Sequence, residues 1–271
     1  MNLVLLEPAE LAEGVAGSSV AGSPVGVAPS EWTPVLAHEL TLRDRRAAHL
    51  LGVVRIAPGS RVRVGVVGGG LGHAEVLAVD ADGGSCTVRV TIDRPPPPPL
   101  PVHLILAVPR PKVLLRTVAI AASFGVERID LTNSWRVDKS YLTSPALSPE
   151  SLGRAARDGA EQGATSRLPI LTVHRRLMAL LDAYPGAARD PSRVYALAHP
   201  GAPQPLEHVV TPGEPRPLTL ALGPEGGWIA REVETFEQRG FAPVTLGESI
   251  LRVEAAVAAL LGQVQLLRRL R

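Results

Sequence analysis

From residue 102 onward, short strand-like segments, most of them apolar runs, alternate with segments whose apolar residues recur at helical spacing. Apolar runs of this length predict buried strands, and the spaced segments predict helices. The predicted strands are 103–108, 127–133, 193–200, 218–227 and 241–246. The predicted helices are 112–125, a helix that starts at Pro149 with Ser148 as its N-cap, 229–239 and 253–270. Strands that alternate with helices predict an α/β domain with a mainly parallel sheet.

The N-terminal third shows the shorter period of β-strands. Three segments alternate apolar and polar residues or are rich in β-branched residues, and they are 60–67, 72–79 and 86–92. Residues 41–52 predict one short helix that ends at Gly52. Residues 12–34, rich in Gly, Ser and Pro, predict a loop. We therefore expect a small β-rich domain before the α/β domain.

Five consecutive prolines at 95–99 separate the two patterns. Such a run forms a stiff polyproline II segment and cannot lie inside a sheet, so it predicts a linker or a strand edge. A proline-rich recognition motif is the alternative. The predicted organisation is a first domain over 1–94, a linker over 95–101 and a second domain over 102–271.

The composition, with 45% hydrophobic and 20% charged residues, predicts a folded chain with a sizeable core. The charge is uneven, because residues 1–100 hold 8 arginines and 10 acidic residues, whereas 101–271 hold 20 basic and 16 acidic residues. A polyanion would therefore bind more readily to the second domain. Aromatic residues are only 3% of the chain, which disfavours single-strand binding by many stacked bases.

Several classes of protein are excluded by what the chain lacks. A single cysteine, Cys86, excludes a disulfide framework or a cysteine-based metal site within one chain. No apolar run reaches the length of about 18 residues that a membrane helix needs, and the N-terminus lacks the pattern of a signal peptide. We expect a cytoplasmic protein that binds neither a membrane nor a metal.

The candidate chemistry lies at two glycine-containing corners that follow predicted strands. The first corner, GPEGG at 223–227, follows the apolar run LTLAL and precedes helix 229–239. Ligands of open α/β sheets bind beyond the carboxyl ends of strands, and glycines let backbone amides approach a ligand. The corner has neither the P-loop nor the dinucleotide-binding pattern. A nucleotide-like ligand and a simple glycine-rich turn both stay open.

The second corner, LGESILR at 246–252, lies between strand 241–246 and helix 253–270. Arg252 stands at the start of that helix, where the helix dipole disfavours a positive charge. Two explanations are open, an anionic ligand or an ion pair with one of three carboxylates. The candidate carboxylates are Glu225, Glu248 and Glu254.

The last helix carries an apolar stripe at steps of four and three residues. A stripe of this kind packs either on the sheet of its own chain or against a second copy of the chain. The stripe consists of Val253, Val257, Leu260, Val264 and Leu267.

The paired corners LGPEGGW and LGESILRVEAA resemble the C-terminal signature of the RsmE family. These SPOUT-superfamily enzymes methylate N3 of a uridine in 16S ribosomal RNA. The resemblance covers most of the chain apart from 12–34 and 176–217. Further similar segments are AVPRPK at 107–112, FGVERIDLTNSWRVDKS at 124–140, EQGATSRLP at 161–169 and, for the PUA-like barrel, HLLGVVRIAPGSRVRV at 49–64.

The resemblance implies an α/β fold with a C-terminal SPOUT domain that forms a deep trefoil knot and binds S-adenosylmethionine. It also implies a PUA-like N-terminal RNA-binding domain and a homodimer that acts on the small ribosomal subunit. Three loops would enclose the cofactor, with apolar side chains beside the adenine. The implied cofactor-binding residues are Ala198, His199, Pro200, Leu222, Gly223, Pro224, Glu225, Gly226, Gly227, Leu246, Gly247, Ser249, Ile250, Leu251, Arg252 and Glu254.

The N3–H of uracil is a weak acid, so methyl transfer needs removal of the proton or stabilisation of the developing charge. Arg252 would stabilise a uracil anion, and Glu225 or Glu254 would orient Arg252 or accept the proton. His199, at the end of a predicted strand, would serve in positioning or in acid–base chemistry. Basic residues that are candidates for phosphate contacts are Arg116, Arg136, Lys139 and Arg167, with Arg154 and Arg157 beside them, and Arg167 lies in a segment similar to the family.

The chain departs from the family pattern in three places. Val253 stands where the family has a threonine, Arg110-Pro111-Lys112 replaces a lysine–glycine pair, and 120–126 lacks the family's Lys and Glu. Three other functions therefore stay open. They are a relative that binds RNA without catalysis, a methyltransferase for another RNA site, and an enzyme for a small nucleotide.

Overall fold

The computed structural model of the chain describes residues 2–12, 34–184 and 186–270. The chain divides into two compact units. The first unit contains Met1–Pro98 and Ala160–Leu168, and the second contains Pro99–Gly159 and Pro169–Arg271. The predicted loop at 12–34 lies, except for its two end residues, outside the described residues.

The first unit is built on a five-stranded sheet. The strand order is β1-β3-β4-β5-β2, with β1 parallel to β3 and the other pairs antiparallel. Alternate residues of the strands, such as Val64, Val76 and Val88, are buried in one apolar core. The strands are β1 (Val4–Leu6), β2 (Val35–Leu42), β3 (Arg61–Val66), β4 (Leu71–Asp80) and β5 (Ser85–Arg94), and the helices are α1 (Pro8–Ala12) and α2 (Arg45–His49).

The helix predicted over 41–52 is confirmed in type but is wrong at both ends. The first two residues complete β2, and α2 begins at Arg45 because the carboxylate of Asp44 accepts a hydrogen bond from the Arg46 backbone N–H (2.8 Å). The helical structure does not end at Gly52 but continues as a π-helical turn over Leu50–Val54. Arg55 ends that turn in the left-handed conformation (φ 59°).

The second unit is built on a six-stranded parallel sheet of order β11-β9-β10-β6-β7-β8. The prediction of an α/β fold with a parallel sheet is confirmed. The strands are β6 (Leu100–Ala107), β7 (Val126–Thr132), β8 (Ile170–His174), β9 (Val194–Ala198), β10 (Leu218–Leu222) and β11 (Ala242–Val244). The helices are α3 (Pro111–Ser123), α4 (Pro149–Gly163, whose last four residues belong to the first unit), α5 (Leu177–Asp182), α6 (Ala230–Gln238) and α7 (Val253–Arg269).

The central strands are continuous apolar runs because both faces of the sheet are covered. All five residues of β10 are buried, and so are the last four of β6. Helix α7 packs against α3, and every residue of its predicted apolar stripe is buried within the chain. The stripe is therefore core of this unit, as the first of the two interpretations expected.

The sequence pattern did not indicate β1, β2, β8, α1 or α5. Strand β8 lies at the edge of the sheet, where Ile170 and Val173 are about half exposed, so its apolar residues follow no clear period. Helix α5 has only six residues, fewer than two turns. Residues 95–99 lie between β5 and β6, outside both strands, and the predicted linker 95–101 overlaps the first two residues of β6.

Two glycines of α4 give a matched test of helix packing. A Cβ added at Gly159 would lie 2.0 Å from the backbone oxygen of Ala119 on α3, whereas one added at Gly153 would meet nothing within 4 Å. Because no side-chain rotation relieves a clash with backbone, Gly159→Ala is expected to lower the free energy of unfolding by about 1–3 kcal/mol. Gly153→Ala is expected to raise it by up to about 1 kcal/mol. Urea denaturation of both variants measures the difference, and equal effects would contradict this packing.

The described helices include none that is long and apolar enough to cross a membrane.

Candidate functional site

The carboxyl ends of three adjacent strands meet at one edge of the six-stranded sheet. Ala198 at the end of β9 is in register with Leu222 on β10 and with Val244 on β11. The backbone N–H of His199 continues this ladder by donating to the Val244 carbonyl (3.0 Å). The three segments expected to surround a ligand therefore leave the sheet side by side, although they lie far apart in sequence.

The first corner is a tight turn that requires its glycines. The Gly227 N–H donates to the Pro224 carbonyl (2.8 Å), and Gly227 has a φ of +69°, a conformation that side chains with a Cβ rarely adopt. A Cβ at Gly223 would approach the backbone N of Trp228 to 3.1 Å. Glu225 and Gly226, at the tip, are exposed. The turn thus presents backbone groups to the surface beyond β10.

The corner leads into α6 through a buried carboxylate. One oxygen of Glu232 accepts from the Ile229 N–H at the helix start (3.0 Å), which satisfies one of the free amides there. The other oxygen accepts from the Trp135 N–H (2.8 Å), in the loop that follows β7. Glu232 therefore fixes the first corner and the loop at 133–137 relative to each other.

Two further contacts attach the first corner to neighbouring strand ends. The carboxylate of Glu225 accepts from the Arg110 backbone N–H, just after β6 (2.9 Å). The guanidinium of Arg136 donates to the Gly226 carbonyl. Arg136, predicted as an RNA contact, consequently lies on the wall of the corner itself.

The second corner is held by Thr245. The Thr245 hydroxyl donates to the Gly247 carbonyl (3.0 Å) and accepts from the Gly247 N–H (3.1 Å), and Gly247 has a φ of +119°. The Thr245 N–H donates to the Gln204 carbonyl (2.9 Å). Beyond this anchor the side chain of Ile250 is 85% exposed and that of Leu251 is 42% exposed. Apolar side chains on a loop at a strand end are suited to cover a flat ring such as adenine.

Arg252 is the N-cap residue of α7, and its carbonyl accepts from the Ala256 N–H (2.8 Å). Its side chain is exposed and forms no ion pair with any described residue, including the three candidate glutamates. The ion-pair explanation for this arginine is therefore wrong in the structure, and its positive charge is free to meet a ligand. Val253, where the family has threonine, is buried in the core.

Three buried polar atoms in these segments lack a hydrogen-bond partner among the described residues, namely His199 Nδ1, Ser134 Oγ and Trp228 Nε1. Other such atoms lie elsewhere in the described residues, on Arg193, Thr219, Gln263 and Arg268. Such atoms are rare in folded proteins and indicate a missing partner. A ligand with several polar groups fits this set of residues together with the glycine turns and the exposed Ile250.

The predicted RNA contacts are distributed more widely. Arg116 and Lys139 are exposed in the second unit, and Arg154 pairs with Glu150 one helical turn away (3.1 Å). Arg167 belongs to the first unit and donates from Nε to the Pro97 carbonyl (2.9 Å), so part of its guanidinium is already engaged. The described residues hold no group of three or more His, Cys, Asp or Glu side chains that could bind a metal.

The sequence profile of the RNA methyltransferase domain matches residues 96–265, more than half of the chain. The chain belongs to this RNA methyltransferase family. The predicted family resemblance and the predicted RNA methyltransferase activity are thereby confirmed. The matched region contains both corners, the three strand ends and the loop with Arg136.

Individual relatives agree with this assignment. Ribosomal RNA small subunit methyltransferase E of Treponema pallidum is 25% identical over 260 residues, 96% of this chain and 88% of the relative. The protein of the same name from Synechocystis is 24% identical over 89% of this chain and 76% of the relative. A crystal structure of ribosomal RNA small subunit methyltransferase E from Neisseria gonorrhoeae bound to S-adenosylmethionine covers 98% of both chains, with a TM-score of 0.70 and 19% identity. This likeness shows the fold.

A buried polar cluster on β7 was not predicted. Asp130 is fully buried and accepts hydrogen bonds from Arg128 (2.7 and 3.0 Å), His174 (2.8 Å) and Tyr184 (2.5 Å). Burial alone would raise the pKa of Asp130, but the hydrogen bonds from Arg128, Tyr184 and His174 outweigh it and lower the pKa. Burial and the Asp130 carboxylate raise the pKa of Tyr184. An acid, Asp130, between the two apolar residues Ile129 and Leu131 of the predicted strand 127–133 was the available signal.

Proposed function

We propose that this protein uses S-adenosylmethionine to methylate N3 of a uridine in 16S ribosomal RNA. The observation that carries the proposal is the meeting of the two glycine corners and the end of β9 at adjacent strand ends. Support comes from the relatives that are named ribosomal RNA small subunit methyltransferase E. The Neisseria protein of similar fold, which is bound to S-adenosylmethionine, supports the choice of cofactor.

The three loops have the chemical groups that this cofactor needs. The amides and carbonyls of Gly223–Gly227 would hold the polar edge of the adenine and the ribose, with Leu222 and Leu246 beside the ring. Ile250 and Leu251 would lose their exposure when the ring is bound. Residues 198–200 would close the third side, with the unpartnered Nδ1 of His199 available to a polar atom of the cofactor.

The bound cofactor supplies an activated methyl group on a sulfonium, so the protein's task is mainly orientation and charge stabilisation. The free guanidinium of Arg252 would stabilise negative charge on O2 or O4 of the uracil. Glu254, in the first turn of the same helix, would orient Arg252 or accept the N3 proton. Glu225 is assigned a smaller catalytic role, because one of its oxygens already accepts from the Arg110 N–H.

The finer architecture is part of this proposal. The second unit would have the SPOUT topology, with a deep trefoil knot formed by the segments that carry the two corners. The first unit would be a PUA-like barrel that adds affinity for RNA, with domain limits near 94 and 102. The protein would act on the small ribosomal subunit as a homodimer. The apolar Leu266 and Leu270, both more than 40% exposed on and after α7, are available to such an interface.

Calorimetry of the purified protein with S-adenosylmethionine and S-adenosylhomocysteine tests the cofactor site. We expect micromolar binding of both compounds at one site per chain. Mass spectrometry of 16S ribosomal RNA from a deletion strain would then show loss of one 3-methyluridine. Absence of binding, with and without RNA present, would overturn the proposal and favour a relative that binds RNA without catalysis.

Gly226→Val is expected to weaken cofactor binding by at least about tenfold, or 1.4 kcal/mol, without unfolding the protein. A Cβ at this position would lie 3.1 Å from Cδ and 3.3 Å from Cβ of Arg136, so the corner or the arginine must move. Calorimetry measures the affinity, and thermal unfolding checks the fold. The matched control is Gly226→Val in an Arg136→Ala background, which removes the 3.1 Å contact with Cδ but keeps the 3.3 Å contact with Cβ, so part of the affinity should return relative to Arg136→Ala alone. An unchanged affinity for Gly226→Val would mean that the corner is only a turn.

A further inference from the structure

The second unit leaves a tryptophan on its surface next to the first corner. The side chain of Trp135 is 79% exposed, whereas Trp228 in the corner is 3% exposed. An indole offers a large apolar face, and leaving it in water forgoes the burial that stabilises most tryptophans. An exposed tryptophan in a functional loop therefore suggests a binding partner.

The backbone holds Trp135 in a fixed position. Its N–H donates to the buried carboxylate of Glu232 (2.8 Å), and Glu232 also accepts from the first residue before α6. On the other side, the Val137 N–H donates to the Ser134 carbonyl (3.1 Å), and the Val137 side chain is in the core. The indole is consequently presented by a loop that is anchored before and after it.

Trp135 is next in sequence to Arg136, which lies on the wall of the proposed cofactor pocket. Arg136 donates to the Gly226 carbonyl at the tip of the first corner. Arg136 in this loop and Lys139, which begins the 3₁₀ turn Lys139–Thr143 just after it, are both exposed and place positive charge near the indole. An aromatic face beside cations is the combination that binds single-stranded nucleic acid, because bases stack on the ring and phosphates contact the charges.

We propose that the indole of Trp135 stacks on the nucleobase adjacent to the uridine that is methylated. This rests on the proposed function. The N3 atom of a paired uridine is engaged in the base pair, so the substrate must be unpaired at that point. Unpaired bases in RNA are recognised by stacking on aromatic side chains. The single exposed tryptophan among the described residues agrees with one stacked base rather than the extended stacking that the low aromatic content disfavours.

A contact between two copies of the chain is the competing use of this side chain. The surroundings favour RNA, because the exposed residues that follow Trp135 in the chain are all polar, namely Arg136, Asp138, Lys139 and Ser140. The cores of homodimer interfaces are depleted of charged residues. An isolated indole among charges is better suited to a nucleotide.

Trp135→Ala is expected to raise the KM for RNA and the Kd for RNA by about tenfold to a hundredfold. Trp135→Phe keeps an aromatic face and should retain most of the affinity. The matched control is Met178→Ala, which removes an apolar side chain of α5 that is 51% exposed. The affinity for S-adenosylmethionine, the kcat at saturating RNA and the sedimentation coefficient should stay at the wild-type values in all three variants.

RNA fragments with one abasic nucleotide give a sharper test. Reverse transcription first maps the methylated uridine, because 3-methyluridine blocks base pairing, and fragments are then made abasic on either side of it. If the base stacks on Trp135, one of the two abasic fragments should bind the wild type more weakly than the intact RNA does, but should bind Trp135→Ala as well as the intact RNA does.

The inference is overturned if Trp135→Ala binds RNA with the wild-type affinity, or if no abasic fragment reproduces the loss of affinity. Methylation of RNA by the wild type would still uphold the proposed function. A changed sedimentation coefficient would assign Trp135 to a contact between copies. Failure of the wild type to bind the cofactor or methylate RNA would refute the proposed function itself.

Discussion

Replacement of Arg252 by alanine is expected to lower the kcat of RNA methylation by about 10²–10³-fold, the usual effect of removing one donor that stabilises transition-state charge. The guanidinium is exposed at the N-terminus of α7 and has no ion-pair partner among the described residues, so no carboxylate there neutralises its charge. Single-turnover methylation at saturating cofactor and RNA measures the chemical step.

The position of Arg252 separates catalysis from stability. A positive charge at a helix N-terminus is unfavourable by roughly 0.3–1 kcal/mol, so the alanine variant should be as stable as the wild type or slightly more stable. Arg252→Lys keeps the charge without the planar fork and should recover part of the rate. If saturating cofactor restores the full rate of Arg252→Ala, the residue binds the cofactor and does not stabilise the transition state.

The elements that sequence reasoning predicted are those with strong local patterns. Strands β9 and β10 and the second half of β6 are nearly continuous apolar runs, and Ser148 and Pro149 mark the start of α4. Helix α6 ends two residues before Gly240, whose φ of +79° suits a glycine. The elements that were missed, β8 and α5 among them, are short or lie at an edge, where the sequence carries no clear period.

The candidate site could be predicted only in part for a related reason. The glycines of the two corners are local signals of unusual backbone, and both corners have glycines at positive φ. The contact of Glu232 with Trp135 joins residues 97 apart in sequence, and it exists only because β7 and β10 flank β6. Strand order follows from long-range packing, so neither this contact nor the exposure of Trp135 could be predicted from a local pattern.

Replacement of Asp130 by asparagine is expected to lower the free energy of unfolding by about 3 kcal/mol or more, the usual result of breaking a buried charged cluster. Each oxygen of the carboxylate accepts two hydrogen bonds. Oδ2 accepts from Arg128 and Tyr184, and Oδ1 accepts from Arg128 and His174. An asparagine amide in either orientation places its NH₂ against two of these donors. The loss of stability is smaller than for a fully buried pair, because the Arg128 side chain is 30% exposed and water continues to solvate its charge. Urea denaturation at neutral pH measures the loss.

The dependence of the free energy of unfolding on pH tests whether the charge of Asp130 causes this loss of stability. The pKa of Asp130 is lowered in the folded protein, whereas in the unfolded chain it has the ordinary value of about 3.9. Between these two pKa values, the unfolded chain binds a proton that the folded protein does not bind. The free energy of unfolding therefore rises with pH across that range. The contribution is complete above about pH 5 and is lost as the pH falls through the folded pKa.

Tyr184→Phe serves as the graded control, since it removes one donor and leaves the carboxylate charged. It should cost about 1–3 kcal/mol and keep the acid-dependent slope. Asp130→Asn should lose that slope as well as the stability. Equal slopes for wild type and Asp130→Asn below pH 4 would place the acid sensitivity at other carboxylates. In that case the cluster would stabilise β7 through its hydrogen bonds and not through the charge of Asp130.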